Sequence, residues 1–158
     1  MVKMTIAGIG YEFTILSVIY GIIILIVNYT YFPDLTFTLG FKIVNILIGS
    51  LFIILGFALV RKSLIIVQYF HERKLCTEGI YSKVQHPIYL AWIFIIIPGV
   101  VIIIGSVLAF TIPIIMYLLF LIFILREEKY LEQLFGEEYL RYKNSTRRIF
   151  PQIIDKKK

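Results

Sequence analysis

The sequence predicts an all-α integral membrane protein: a bundle of about four transmembrane helices, followed by a cytosolic, amphipathic helical tail. Two observations predict this fold class. Hydrophobic residues make up 59% of the 158 residues and the mean hydropathy is +0.89, which is more apolar surface than so small a globule can bury. These residues also fall into four long runs with uncharged interiors, each near the length of about 20 residues that crosses a bilayer as a helix.

The four predicted spans, in chain order, are residues 13–32, 41–60, 88–105 and 107–125. Each must be helical, because backbone polar groups in hydrocarbon have no water to bind. The first run is expected to be a permanent helix, since no small-residue cleavage site follows it. The connection at Gly105 and Ser106 is so short that the last two spans should form an antiparallel hairpin. Pro98 and Pro113 lie inside these spans and favour kinks.

Residues 126–158 are predicted to form the tail of a single domain that covers residues 1–158. The last helix should run on to Phe135 and stop at Gly136, and a second short helix is expected over residues 137–144. Tyrosines, leucines and a phenylalanine recur at helical spacing in this tail. They give it an apolar face that can lie on the membrane surface or close over a pocket.

The basic residues cluster between the second and third spans and after the fourth. Because Lys and Arg favour the cytoplasmic side, both segments and both termini are predicted to be cytoplasmic. The net charge of +6 therefore predicts contact with anionic membrane lipids, and no nucleic acid is expected as a partner. The single cysteine, Cys76, leaves no intrachain disulfide or cysteine-based metal cluster, and the uncharged spans disfavour a transporter.

Chemistry-bearing residues are concentrated in two strings, one from Glu78 to Leu90 and one from Arg126 to Tyr142. The predicted hairpin returns the chain to the membrane face where it left, which should place His86 beside the second string. Each string alone has an ordinary explanation. Pro87 suits the first turn of a helix, and tyrosines at a membrane exit can form an interfacial belt.

Taken together and in this order, the strings resemble the isoprenylcysteine carboxyl methyltransferase and phospholipid methyltransferase superfamily of integral membrane enzymes. The resemblance covers about half of the chain, from Leu75 to Pro151. The matching residues are Gly79, Tyr81, His86, Pro87, Tyr89, Glu127, Glu128, Leu131, Phe135, Gly136, Tyr139, Tyr142 and Pro151.

The resemblance implies methyl transfer from S-adenosylmethionine, which leaves S-adenosylhomocysteine, to a lipid or lipidated small molecule. The cofactor would bind at the cytosolic ends of the last two spans under the tail, with no metal. Glu128 would accept from its ammonium group, His86 would donate to its carboxylate, and Gln85, Glu128 and Arg126 are the expected catalytic residues. The expected cofactor-binding residues are His86, Tyr89, Glu127, Glu128, Tyr81, Val84, Leu90 and Tyr139, with backbone groups near Val84, Gln85 and Leu90 at the adenine.

Two departures from the family pattern leave the acceptor open. Gln85 replaces the arginine before His-Pro, and Phe123 stands where the carboxyl methyltransferases tend to have another arginine. Because a glutamine cannot replace a bidentate cation, a phospholipid or another amine or thiol acceptor competes with a prenylated cysteine. Two further hypotheses are a sterol-reductase-like enzyme that uses a reduced nicotinamide cofactor, and a non-enzymatic membrane scaffold. The oligomeric state also stays open.

Overall fold

In a computed structural model of the protein, which describes residues 10–150, most of the chain is helical and no β-strand occurs in that range. Four stretches are long and apolar enough to cross a membrane: Gly10–Tyr31, Lys42–Tyr69, Pro87–Ile104 and Leu108–Phe135. The predicted all-α fold with four spans is confirmed. The helices are α1 (Gly10–Tyr31), α2 (Lys42–Ser63), α3 (Ile65–His71), α4 (Pro87–Ile104), α5 (Thr111–Phe135) and α6 (Glu137–Ser145).

The helix bounds differ from the predicted spans mainly at one place. The second span does not end at Val60, because α2 continues to Ser63 and is followed by α3 after the single residue Leu64. The predicted continuation of the last helix to Phe135 is found, and Gly136, with φ of 55°, separates α5 from α6. Pro151 and the rest of residues 151–158 lie outside the described residues, as do residues 1–9.

The term basic end is used here for the end of the bundle at which α1 and α4 begin and α5 ends. The opposite end is the turn end. At the turn end, Gly105 has a φ of 72°, which a glycine adopts without strain. Ser106 Oγ donates to Asn28 Oδ1 (2.9 Å), and Asn45 Nδ2 donates to the Ile102 carbonyl (3.1 Å). The hairpin is as tight as predicted. It is stabilised by two buried asparagines, which the sequence analysis did not identify.

The α2 and α4 helices pack closely at glycines. A Cβ atom added to Gly49 would lie 2.5 Å from the Gly99 carbonyl oxygen, and one added to Gly99 would lie 2.8 Å from the Gly49 carbonyl oxygen. Small residues let membrane helices approach in this way. Just before Pro98, the residues Trp92–Ile96 form a π-helical turn, a common irregularity where a hydrogen bond is lost.

The α1 helix packs along α5. Tyr20 OH donates to Thr111 Oγ1 (2.8 Å), and Phe13 joins Ile112 and Met116 in the buried core. Pro113 is in the first turn of α5, where a proline costs no hydrogen bond, so the expected cause of a kink is absent. Within residues 10–150, α1 makes no extended contact with α2, and a space is left between α1 and α4.

Candidate active site

A cavity of about 990 Å³ begins at the basic end and extends between α1 and α4 toward the turn end. Its volume is at the upper end of the usual range of about 300–1,000 Å³ for ligand pockets. Its basic end carries the polar lining: His71, Arg73, Lys74, Tyr81, Gln85, His86, Tyr89, Glu127, Tyr130, Tyr139 and Tyr142. The deeper part is lined almost entirely by apolar side chains, among them Leu25, Ile97, Val101, Ile104, Ile112 and Met116.

His86 and Glu127 meet at the polar end of this cavity. His86 immediately precedes α4 and is 5% exposed. Its Nδ1 lies 3.6 Å from Glu127 Oε1 on α5, and Tyr89 OH donates to Glu127 Oε2 (3.2 Å). The Tyr89 ring packs edge-on against Phe13 of α1. The predicted proximity of His86 to the glutamates is confirmed, and the antiparallel hairpin explains it.

Glu128 points away from the cavity into a cluster of cations. Its side chain is 2% exposed, and Arg148 binds both oxygens, through Nε at 2.5 Å and a terminal nitrogen at 2.9 Å. Lys143 Nζ lies 3.0 Å from Oε2, whereas His86 Nε2 is 3.9 Å from Oε1. Protein cations therefore compensate the Glu128 charge, and Glu127 is the carboxylate of the pair that lines the cavity.

Gln85 fastens the segment after α6 across the start of α4. Its Nε2 donates to the carbonyls of Lys143 (3.1 Å) and Thr146. Its backbone N–H donates to Arg147 O (2.8 Å), and the His86 N–H donates to Arg148 O (3.1 Å). Sequence comparison with the family led to a catalytic expectation for Gln85, but its amide nitrogen is used to hold the tail.

Four buried side-chain polar atoms find no hydrogen-bond partner among residues 10–150: Asn28 Nδ2 at the turn end, and Gln85 Oε1, His86 Nε2 and Tyr139 OH at the basic end. Gln85, His86 and Tyr139 line the cavity. Burial, together with the nearby Glu128 and Glu127 carboxylates, raises the pKa of the Tyr139 phenol, so this group remains a hydroxyl at neutral pH. Buried polar groups are nearly always paired in proteins, so three unpaired ones beside one cavity favour a ligand that pairs with them.

The remaining tyrosine with an expected role, Tyr81, also lines the cavity. Its OH donates to the Ser63 carbonyl (3.1 Å), and its own carbonyl accepts from Tyr142 OH (2.7 Å). Burial raises the pKa of both phenols. Tyr81 thus presents its ring to a ligand, while its hydroxyl ties the loop to α2.

Two predicted backbone contacts are not open to a ligand. The Val84 N–H donates to Ile80 O (3.2 Å), and the Leu90 N–H donates to His86 O (3.1 Å). The Gln85 N–H is bound to the tail as well. The turn before α4, the first turn of α4 and the tail already use these N–H groups, so an adenine edge would have to bind other backbone groups of this segment. The expected adenine contact stays a prediction.

Arg126 lies outside the cavity. Its side chain is 68% exposed and donates to Glu12 Oε2 (3.2 Å), and its guanidinium stacks over the Phe123 ring. It ties the end of α5 to the start of α1. The structure therefore brings six of the predicted site residues to the cavity, and the other four lie outside its lining: Val84, Leu90, Arg126 and Glu128.

Sequence reasoning missed the partners of Glu128 and the basic rim of the cavity. Arg148 and Lys143 reach Glu128 only because the tail folds back over α5. Arg73 and Lys74 reach the cavity because the loop after α3 turns sharply, with Arg73 at a φ of 54°. Nothing in the local sequence signals either contact.

The fold and this site define a class: a membrane-spanning helical protein with a ligand-sized cavity that is polar at one end and apolar within the bilayer region. A family model described as phospholipid methyltransferase matches residues 37–138, well over half of the chain, from the start of α2 to the start of α6. The chain belongs to this family of membrane methyltransferases. No curated protein and no solved structure matches it.

Proposed function

We propose that the protein transfers a methyl group from S-adenosylmethionine to a lipophilic acceptor, at the polar end of the cavity. One observation carries the proposal: Gln85, His86 and Tyr139, each with a buried polar atom that has no partner among the described residues, line one cavity together with Glu127. Membership of the phospholipid methyltransferase family supports methyl transfer as the reaction. Sidedness is part of the proposal, with the basic end in the cytosol.

The donor set fits this cofactor. His86 Nδ1 faces Glu127, and His86 Nε2, which has no hydrogen-bond partner among residues 10–150, can donate to a carboxylate. Glu127 is suited to the ammonium group. This assignment replaces Glu128, whose oxygens are occupied by Arg148 and Lys143. Tyr139 OH and Gln85 Oε1 offer one donor and one acceptor to the nucleoside.

When bound, the cofactor supplies a reactive methyl group on a positively charged sulfur. The chain's own residues favour that charge: Glu127 contributes a negative charge, and the rings of Tyr81 and Tyr89 line the same space, where aromatic faces attract cations. The fastened tail covers the polar end and excludes water. Catalysis then depends on aligning the two reactants rather than on a covalent or metal-assisted step.

The same residues favour an acceptor without a carboxylate at its reacting end. The amide nitrogen of Gln85 is bound to the tail, and Phe123 lies next to the outward-facing Arg126, so neither position provides a cation for a carboxylate. We therefore favour an amine or a thiol on a lipophilic molecule over the carboxyl group of a prenylated cysteine.

Isothermal calorimetry on the purified protein tests cofactor binding. We expect S-adenosylmethionine to bind the wild type, and Glu127→Gln to weaken binding about ten- to a hundred-fold, because a charge-assisted hydrogen bond contributes about 1.5–3 kcal/mol. Glu132→Gln, an exposed glutamate on the same helix, is the matched control and should bind as the wild type does.

Two results would contradict the proposal: no binding of S-adenosylmethionine by a folded wild type, or equal binding by Glu127→Gln and Glu132→Gln. Titration of a reduced nicotinamide dinucleotide in the same assay separates a methyltransferase from a reductase. Binding of that cofactor alone would support a reductase.

A further inference from the structure

The apolar part of the cavity runs through most of the depth of the bundle. On α4 it extends to Ile104, about 25 Å from Pro87 at 1.5 Å per residue, against about 30 Å for the hydrocarbon of a bilayer. The residues of α1 that line the cavity recur at helical spacing and so form one face of the helix: Gly10, Phe13, Thr14, Ser17, Val18, Gly21 and Leu25. The cavity is therefore a long space alongside α1.

The described helices close two of the four seams around this space, and the tail closes a third. The seam between α2 and α4 is closed by the contact of Gly49 with Gly99. The seam between α1 and α5 is closed by the Tyr20–Thr111 hydrogen bond and by the core around Phe13. Neither seam leaves room for a lipid chain.

The tail closes the third seam, between α4 and α5. Ile149 is 4% exposed and belongs to the buried cluster that contains Ile93 and Phe120. The Phe150 ring packs on Phe94 of α4, with 4.9 Å between ring centroids. The segment that covers the polar end thus also fills the groove between the last two spans.

The seam between α1 and α4, on the side of α2, stays open. Val18 lines the cavity and is nevertheless 52% exposed, and Thr14 beside it is also exposed. The cavity is not enclosed on this side, and both residues lie inside a transmembrane helix, so the opening is at the depth of the bilayer. The cavity consequently communicates with the bilayer along this edge of α1.

We propose that the acceptor's apolar chain enters by this edge and lies along α1, and that Gly21 determines how long a chain can be seated. The identity of that molecule as the methyl acceptor rests on the proposed function. A Cβ atom added to Gly21 would meet only Ile112 Cδ1, at 3.8 Å, so a larger side chain would project into the cavity. Gly21 lies about 16 Å along α1 from Gly10, so blocking it removes only about the deepest third of the cavity.

Trp92 is a native reporter for this test, because it is the one tryptophan in the chain, lines the cavity and is 37% exposed. Short- and long-chain alcohols with a bromine close to the hydroxyl group are titrated into phosphatidylcholine vesicles that hold the protein, and Trp92 fluorescence is recorded. In the wild type, both probes should quench saturably. In Gly21→Phe, the long probe should bind at least tenfold more weakly, while the short probe is unchanged.

Ile22→Phe is the matched control, since Ile22 is adjacent, 54% exposed and outside the cavity lining; it should bind both probes. Leu25→Phe, one turn deeper, should also exclude the long probe. It replaces Gly21→Phe in the test if that variant does not fold. Quenching that never saturates, or equal binding of the long probe by Gly21→Phe and Ile22→Phe, would overturn the inference. Calorimetry with S-adenosylmethionine on the same variants is an independent measurement. Absence of cofactor binding would contradict the proposed function but would not affect the result on chain binding.

Discussion

At the scale of single residues, Gln85 shows how a departure from a family pattern changes a role. Its side-chain nitrogen donates to the tail carbonyls of Lys143 and Thr146, and its backbone N–H donates to Arg147. A side chain used in this way positions its neighbour His86, which the tail also holds through Arg148 O. Gln85 is therefore a positioning residue for the cavity.

Replacing Gln85 by leucine should loosen the tail. The substitution keeps the volume but leaves two carbonyls without their donor, which costs about 1–3 kcal/mol. Backbone amide exchange over residues 143–148 is expected to accelerate about ten- to a hundred-fold, measured by hydrogen exchange and mass spectrometry. Gln133→Leu, at an exposed position on α5, should leave exchange in this segment unchanged, and unchanged exchange in Gln85→Leu would refute the role.

The sequence could predict which residues meet, but not which of two adjacent glutamates faces the cavity. The predicted antiparallel hairpin was enough to place His86 beside α5. Glu127 and Glu128 differ in direction by about 100° around the helix, and the choice between them depends on where Arg148 and Lys143 lie. That position follows from the folding back of the tail, which no local pattern encodes.

At the scale of helices, the apolar runs predicted the four spans because lipid imposes their length and composition. The extension of α2 past Val60 was missed since Arg61 and Lys62 suggested an end. Long basic side chains can instead reach the interface from within a helix. Packing was less predictable: close approach of α2 and α4 depends on Gly49 opposing Gly99, a relation between distant segments.

A matched pair of glycine substitutions tests this packing. Gly49→Ala should lower the melting temperature of the purified protein, because its Cβ atom would lie 2.5 Å from the Gly99 carbonyl oxygen and from Ile103 Cγ1, and overpacking costs about 1–3 kcal/mol. Gly21→Ala makes only an ordinary contact and should not lower it. Equal melting temperatures for the two variants would show that the α2–α4 seam is looser than described.

At the scale of the whole molecule, the arrangement joins two environments. The polar end, lined in part by Tyr139 and Tyr142 of the tail, opens among basic residues, and the apolar part lies along α1. A water-soluble cofactor and a lipid-dissolved acceptor can thus reach one site from different sides. The tail serves both parts, since it fastens His86 through its backbone and fills the α4–α5 groove with Ile149 and Phe150.

The most direct test of this account is transfer of a labelled methyl group. Purified protein is placed in vesicles made from lipids of the cells that express it and is supplied with methyl-tritiated S-adenosylmethionine. We predict that label accumulates in the organic-solvent extract with the wild type, and at least tenfold more slowly with Glu127→Gln than with Glu132→Gln. An extract that stays unlabelled although the wild type binds the cofactor, or equal rates in the two variants, would contradict a methyltransferase site at the His86–Glu127 end of the cavity.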